Sequence, residues 1–388
     1  MKLLNIILCA FALTACTARA QLHLDVVRSE MVRCPEASFI DGQEGKLKWN
    51  YTTGLELKSF LDVYCITGDT TVFEYVDAWY DAVIDSTGSI GGKYKKSNYS
   101  LDHICPGNTL FSLYDMTGKE KYRKAMDSLY VQLKEQPRNA QGGFWHKKIY
   151  PDQMWLDGLY MAQPFYAEYT MRYVPEEERK ANIDDIVSQF SLACRHCYDP
   201  VTGLLRHAWD ASRSMFWCDP DTGQSEHAWG RALGWYCMAL VDVIGILGED
   251  NCKELTGILL GVFGALQANS DSQTGLWFQV LDQPGREGNY LEATCCAMFS
   301  YAFSKAVNLG IYADRDYARE IYRKTVSRFV THGADGLVDL NDCCEVAGLG
   351  GKEMRSGTYD YYIHERVRAN DPKGIGPLIW ASIEYDKI

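Results

Sequence analysis

The sequence contains no Pro/Ser-rich linker, no low-complexity tract and no long run of one charge sign. Those absences leave no seam between domains, although 388 residues would on length alone allow two or three. A single domain over residues 21–388 is therefore expected. Beyond the N-terminus no stretch reads as a transmembrane helix. Several catalytic signatures are missing too: there is no G-x-S-x-G elbow, no P-loop, no H-E-x-x-H and no G-x-G-x-x-G. Positive charge is scarce, and the net charge of −12 argues against a nucleic-acid partner. The same field repels any anionic substrate, which would need a local cationic pocket.

What is present begins with a leader. Lys2 supplies a positive n-region and residues 3–15 an apolar segment too short to span a bilayer. Residues 1–20 thus read as a signal peptide, and the chain as exported to the periplasm. Two cleavage readings stand. Ala18-Arg19-Ala20 is an A-x-A site before Gln21, and Leu13-Thr14-Ala15-Cys16 resembles a lipobox that would leave a lipid anchor on Cys16. Of 14 cysteines, Cys9 and Cys16 belong to the leader, and the rest lack the spacing of a disulfide framework. Cys295-Cys296 and Cys343-Cys344 read as small apolar fillers. Cys194-Arg195-His196-Cys197 has no second Cys/His pair at zinc-ribbon spacing, so no metal site is assigned. Ten Trp and 25 Tyr fit a carbohydrate cleft, where aromatic rings stack on the C–H faces of sugars; large cores also use aromatics.

Helical periodicity dominates. Val72, Val76, Trp79 and Val83 form one apolar stripe. Tyr122, Ala125, Met126, Leu129, Tyr130 and Leu133 form another, and Trp229, Leu233, Tyr236, Leu240, Val243 and Leu247 a third. Tyr64-Cys65-Ile66-Thr67-Gly68-Asp69 is echoed by Tyr114-Asp115-Met116-Thr117-Gly118-Lys119. In each, Gly68 or Gly118 suits a left-handed cap between two helices. A unit of about 50 residues is a helical hairpin. A second turn family, Asp199-Pro200-Val201-Thr202-Gly203-Leu204 and Asp271-Ser272-Gln273-Thr274-Gly275-Leu276, precedes short strand candidates at 205–209 and 277–281. Asp219-Pro220-Asp221-Thr222-Gly223 is a shorter relative. The expected class is all-α: hairpins with short β decorations at one end, six of which would close into an (α/α)6 barrel.

Three stretches carry candidate chemistry. The first runs from Gly142 to Met161, with Trp145, His146 and Lys147 ahead of Asp157. Asp157 stands among Trp155, Leu156, Leu159 and Met161, where lost hydration favours a protonated acid. It equally suits the N-cap of the following helix. The second holds Asp102, just before a helix beginning near Asn108: a second carboxylate or a turn residue. The third combines His207 with Trp229-Gly230-Arg231 and Trp235. If Arg231 heads a helix, Trp235 shares its face, giving a stacking surface and a carboxylate clamp; otherwise the tryptophans pack inward and Arg231 is solvated. His227, His332 and His364 are lone histidines, read as structural.

With these motifs, from Trp49-Asn50-Tyr51 to the C-terminus, the chain resembles glycoside hydrolase family 105, the unsaturated rhamnogalacturonyl hydrolases, and more distantly the unsaturated glucuronyl hydrolases of family 88. The resemblance rests on residues 143–146 (GFWH), 153–161 (QMWLDGLYM), 229–236 (WGRALGWY), 288–293 (GNYLEA) and the tail from Gly348-Leu349-Gly350 through Tyr361-Tyr362 to Pro377. It implies an (α/α)6 barrel and a glycosidase that hydrates the C4=C5 bond of a terminal unsaturated uronic acid. Asp157 would be the general acid/base and Asp102 the supporting carboxylate. His146, Lys147, His207, Trp229, Arg231, Trp235 and Tyr51 would hold the sugar, with no metal or organic cofactor. The implied partner is a short pectin-derived oligosaccharide ending in an unsaturated galacturonyl residue; a glucuronyl counterpart from glycosaminoglycan is the alternative. Two further readings compete: a sugar epimerase of the N-acylglucosamine type, which leaves Trp155-Leu156-Asp157-Gly158 unexplained, and an oligosaccharide-binding protein, which has no need of both Asp102 and Asp157.

Overall fold

The computed structural model describes residues 22–388. The leader, both cleavage readings and the lipid site at Cys16 lie outside the described residues. The chain enters at α1 (Leu22–Arg33), and hairpins follow. The first pairs α2 (Tyr51–Thr67) with α3 (Thr70–Val83), and the second α4 (Gly107–Thr117) with α5 (Glu120–Lys134). Next come α6 (Leu156–Tyr173) with α7 (Glu176–Cys197), then α8 (Gly230–Leu247) with α9 (Lys253–Ala268). The fifth joins α10 (Ala293–Asn308) to α11 (Arg315–Phe329). A short α12 (Tyr359–His364) precedes the last helix, α13 (Pro372–Lys387).

Among the described residues, α2, α4, α6, α8, α10 and α13 pack side by side in a closed ring, each against the next and α13 back against α2. The outer layer is α3, α5, α7, α9 and α11, each against its own partner, with α1 covering α13. This is the expected six-hairpin barrel. The ring closes because the inner helices are apolar on nearly every face. In α8 only Gly245 and its neighbours Asp242 and Ile246 escape full burial. That helix has the length and apolar composition of a membrane span, which the sequence reading did not register. Here the barrel interior, not lipid, takes up its surface.

Local chemistry sets the hairpins. Asn50 caps α2 by accepting from Thr53 N at 3.1 Å, and Asp69 caps α3 through Thr71 N at 3.2 Å. Gly68 and Gly118 end their helices at φ 70° and 64°, in the left-handed region expected of them. The Thr before each glycine bonds back to the carbonyl four residues earlier, at 2.9 and 2.6 Å, which explains the repeated Thr-Gly pair. The Asp of the second turn family accepts from backbone and Thr hydroxyl within its own loop, as at Asp199 and Asp271.

Strands are few and short. β1 (Gln153–Trp155) pairs antiparallel with β2 (Ala208–Asp210), Met154 opposite Trp209. β3 (Val330–His332) pairs with β4 (Val338–Leu340), and β5 (Cys343–Cys344) with β6 (Val367–Arg368). The strand expected at 277–281 does not form. That segment makes only single bridges, Val280 to Trp229 and Phe278 to Leu291, while its backbone also bonds to Ala228, Gly230, Tyr290 and Glu292 on its two sides. Cys295, Cys296, Cys343 and Cys344 are fully buried thiols, as their filler reading requires.

Candidate active site

Asp157 is the second residue of α6, and Asp102 lies in a 3-10 turn (Leu101–His103) just ahead of α4. Tyr51 starts α2, and Arg231 is the second residue of α8. The candidate residues therefore gather at the end where the inner helices begin. Helix N-termini present free N–H groups and partial positive charge. This supplies, within an acidic protein, a local field suited to an anionic ligand.

Backbone bonds hold the two aspartates beside two histidines. Leu101 N donates to His146 O at 3.0 Å, fixing the loop that carries His146 and Lys147 next to Asp102. His146 N in turn donates to Gln153 O at 2.9 Å, so β1 anchors that loop. Leu156 N donates to His207 O at 3.1 Å, which places His207 beside Asp157. Gly158 lets His146 approach α6: a Cβ there would lie 3.0 Å from the imidazole Nδ1. The bland reading of Asp157 fails, since Trp155 occupies the cap position and Asp157 makes no cap bond.

The electrostatics of the two ends differ. Lys147 Nζ lies 2.5 Å from one Asp102 oxygen, and His146 Nε2 lies 3.4 Å from the other. Burial alone would raise the Asp102 carboxyl; Lys147 and His146 outweigh it and hold the group below the usual carboxylate range. Burial pushes His146 down to about 4, with Asp102 opposing, so the ring is neutral at pH 7. Tyr51 stays protonated: burial and the nearby Asp102 charge raise its phenol, against Arg231. Asp157 Oδ2 is 3.2 Å from His207 Nε2. That contact falls outside hydrogen-bond alignment, and both atoms are buried without a partner among the described residues, as is His146 Nδ1.

Aromatic stacking builds the wall. The His146 ring lies flat on Trp155, centroids 4.7 Å apart at 6°, and Tyr150 stacks on Trp155 at 5.0 Å. Asp210, fully buried, accepts from the backbone of Ser212, Ser214 and Met215 and so shapes the loop that brings Trp217 to Trp155.

The third constellation takes the inward-packed alternative for its tryptophans, while Arg231 is buried rather than solvated. Trp229 and Trp235 are each 1% exposed. Trp229 donates its indole N–H to Gln279 at 3.1 Å and packs beneath His207 at 4.8 Å. Trp235 stacks on Tyr160 and meets Tyr51 edge-on at 6.5 Å. Arg231, also 1% exposed, donates to the carbonyls of Cys344 and Glu345 and lies 3.7 Å from Glu292. Arg231 is thus a buried strut: the carbonyls of Cys344 and Glu345 take up its two terminal nitrogens, while its Nε is buried without a partner among the described residues. Lys147 is the partly exposed cation beside the aspartates.

Sequence reasoning missed Tyr362 as a site residue. Its hydroxyl is 2.8 Å from His207 Nδ1, leaving Nε2 toward Asp157. It also missed Glu292, fully buried, which accepts from Cys295 N and Cys344 N. The bond of Tyr362 to His207 and that of Glu292 to Cys344 N each span more than fifty residues of chain, where spacing carries no signal, although Glu292 also caps its own helix through Cys295 N. Tyr150 and Trp155 were legible as aromatics in the first motif but had no partner to stack on until β1 was placed.

Residues 24–388 match the model of Glycosyl Hydrolase Family 88. A family 105 glycoside hydrolase from C. acetobutylicum ATCC 824 superposes with a TM-score of 0.89 at 40% identity, over 95% of this chain and 100% of that one. An unsaturated glucuronyl hydrolase specific for heparin shares the fold at TM-score 0.62 and 14% identity, over 87% of this chain and 86% of that one. Protein Atu3128 of Agrobacterium fabrum is 37% identical over 236 residues, 58% of this chain and 97% of that protein. The chain belongs to glycosyl hydrolase family 88 as its model defines it, and stands with the family 105 enzymes within that fold.

Proposed function

We propose that this glycoside hydrolase removes an unsaturated galacturonyl residue from the non-reducing end of lyase-generated rhamnogalacturonan oligosaccharides. The observation that carries the chemistry is the pairing of unlike carboxylates. Asp102 is held ionised by Lys147, while Asp157 points a buried, unpartnered oxygen beside His207. A carboxylate held ionised beside one left without a hydrogen-bond partner can divide the supporting and proton-donating work.

In this reading Asp157 gives its proton to C4 as the C4=C5 electron pair forms the new C–H bond. Water adds at C5 and its proton returns to the Asp157 carboxylate. The hemiketal at C5 opens, and the rearranged sugar loses its glycosidic bond. Asp102 and Lys147 bind and orient the uronyl ring, with Lys147 nearest the substrate carboxylate. His146, neutral, offers Nδ1 to a sugar hydroxyl, and Tyr362 sets the tautomer of His207. Trp229 and Trp235 support this floor from below, and Arg231 fixes the segment that closes it. The leader reading makes the enzyme exported, periplasmic or tethered through Cys16.

The test follows the ultraviolet absorbance of the conjugated C4=C5 bond on adding enzyme to an unsaturated rhamnogalacturonan disaccharide, with an unsaturated chondroitin disaccharide alongside. Loss with the first alone supports the proposal. Loss with the second alone moves the substrate to glucuronyl fragments, and no loss with either removes the hydration chemistry.

A further inference from the structure

The inner helices end around a second cavity, at the opposite mouth of the barrel. It encloses about 540 Å³ and touches none of the candidate catalytic or sugar-holding residues. Tyr160, Tyr301 and Trp380 line it, the first backing onto Trp235 through the 4.8 Å stack that separates it from Tyr51.

Every charged group of its lining has a partner of opposite sign, Arg172 having a second one in Asp115 outside the lining. Lys58 Nζ holds both oxygens of Asp62, at 2.6 and 2.7 Å, and Asp62 also accepts the Trp380 indole N–H at 2.8 Å. Lys305 and the Tyr301 hydroxyl both donate to Asp242 at 2.6 Å. Arg172 pairs with Glu168, and Lys387 with Glu384 at 2.8 Å. The lining therefore carries four cations and four carboxylates, with no charge left over. Complementing the helix C-termini accounts for Arg172, Lys305 and Lys387, which sit in last turns. It does not account for Lys58 and Asp62, which lie before the last turn of α2 and project into the cavity.

An ionic ligand would have to break one of these pairs and strand its partner. A neutral ligand with many hydroxyls faces no such cost. Each paired carboxylate keeps lone pairs to accept from it, and each ammonium has three donors. Tyr160, Tyr301 and Trp380 border these groups with 5–7% of their surface exposed, so the convergent polar groups carry the match to a sugar's hydroxyls. We propose that this cavity is a second binding site, taking a neutral saccharide of up to disaccharide size, distinct from the catalytic end.

The test uses the full-length enzyme and calorimetric titration with cellobiose, maltose and lactose, with digalacturonate and the glucosamine dimer as charged counterparts. Gly245 lines the cavity, and the nearest atoms a Cβ there would meet, of Leu309 and Lys305, stand at an ordinary 3.7–3.8 Å. Gly245→Leu therefore fits its own helix and fills the space. The expected result is saturable binding of at least one neutral disaccharide by the wild type, weakened about tenfold or more in Gly245→Leu with uronyl turnover unchanged. Ser112→Leu, on α4, fills the same space and decides the matter if Gly245→Leu does not fold. Three outcomes overturn the proposal: no neutral disaccharide binds, binding is unaffected by filling the cavity, or a charged dimer binds there more tightly.

Discussion

Nε2 of His207 lies 3.2 Å from Oδ2 of Asp157 without the alignment of a hydrogen bond, and Tyr362 occupies the other ring nitrogen. The imidazole is held from behind, and Asp157 Oδ2 is buried against it without a hydrogen-bond partner among the described residues.

Asp157→Asn should keep the fold and sugar affinity, since the amide is nearly isosteric, and lose turnover by about 10²–10⁴-fold. Steady-state rates with a lyase-generated disaccharide check this. Near-normal turnover would remove Asp157 from the acid role.

Lys147→Met leaves Asp102 to burial, which raises its carboxyl. The acidic limb of the kcat/KM profile should then move to higher pH. Because Asp102 sits lower in the folded protein than in the unfolded chain, its stabilisation is whole above the unfolded value. It is lost as pH falls through the folded one. An acidic limb that stays in place would exclude Asp102 from the catalytic profile.

His146, pushed down to about 4 from an ordinary 6.5, should show no ring titration between pH 5 and 8 by NMR. The unfolded chain takes up a proton in this range and the folded one does not. This single group should therefore weaken folding by about 1.4 kcal/mol per pH unit as pH falls from the ordinary value toward 4. An imidazole that titrates near 6.5 would contradict its burial against Trp155.

Arg231→Met strands Glu292, which is fully buried, and frees the carbonyls of β5. Removing one partner of a buried pair costs about 3–5 kcal/mol, so thermal unfolding should come at a clearly lower temperature. A variant as stable as wild type but with raised KM would return Arg231 to the role of a direct clamp.

Gly68→Ala forces a β-carbon into φ 70°, and should cost about 1 kcal/mol in denaturant unfolding with activity unchanged. No loss of stability would mean that the hairpin turn relaxes.

The hairpins were legible because their information is local. A Thr-Gly cap, an apolar stripe and an Asp turn each lie within a few residues, and the buried stripe at Val72, Val76, Trp79 and Val83 follows directly from its spacing. Asp102, His146 and Asp157 were legible through motif resemblance, and the geometry gathers them at one end. What periodicity could not show was which polar groups would be satisfied by distant backbone. Arg231 reads as a clamp until the carbonyls of Cys344 and Glu345, more than a hundred residues away, are seen to occupy it. Tyr362 has only its neighbour Tyr361 as a local ring contact, and its bond to His207 exists only once the ring is closed.

The two ends of the described chain lie together. His23 on α1 reaches Ser382 on α13 at 3.3 Å and stands 3.6 Å from Asp386. The last helix is also a wall of the ring, set between α10 and α2. A ribosome making this protein therefore releases five hairpins before their common lumen can be sealed, and the facing sides of α10 and α2 have to wait for the helix that packs between them. Closure is the most non-local step of folding and the slowest to arrive. A nascent chain stalled before α13 would expose its catalytic floor to chaperones and proteases rather than to substrate.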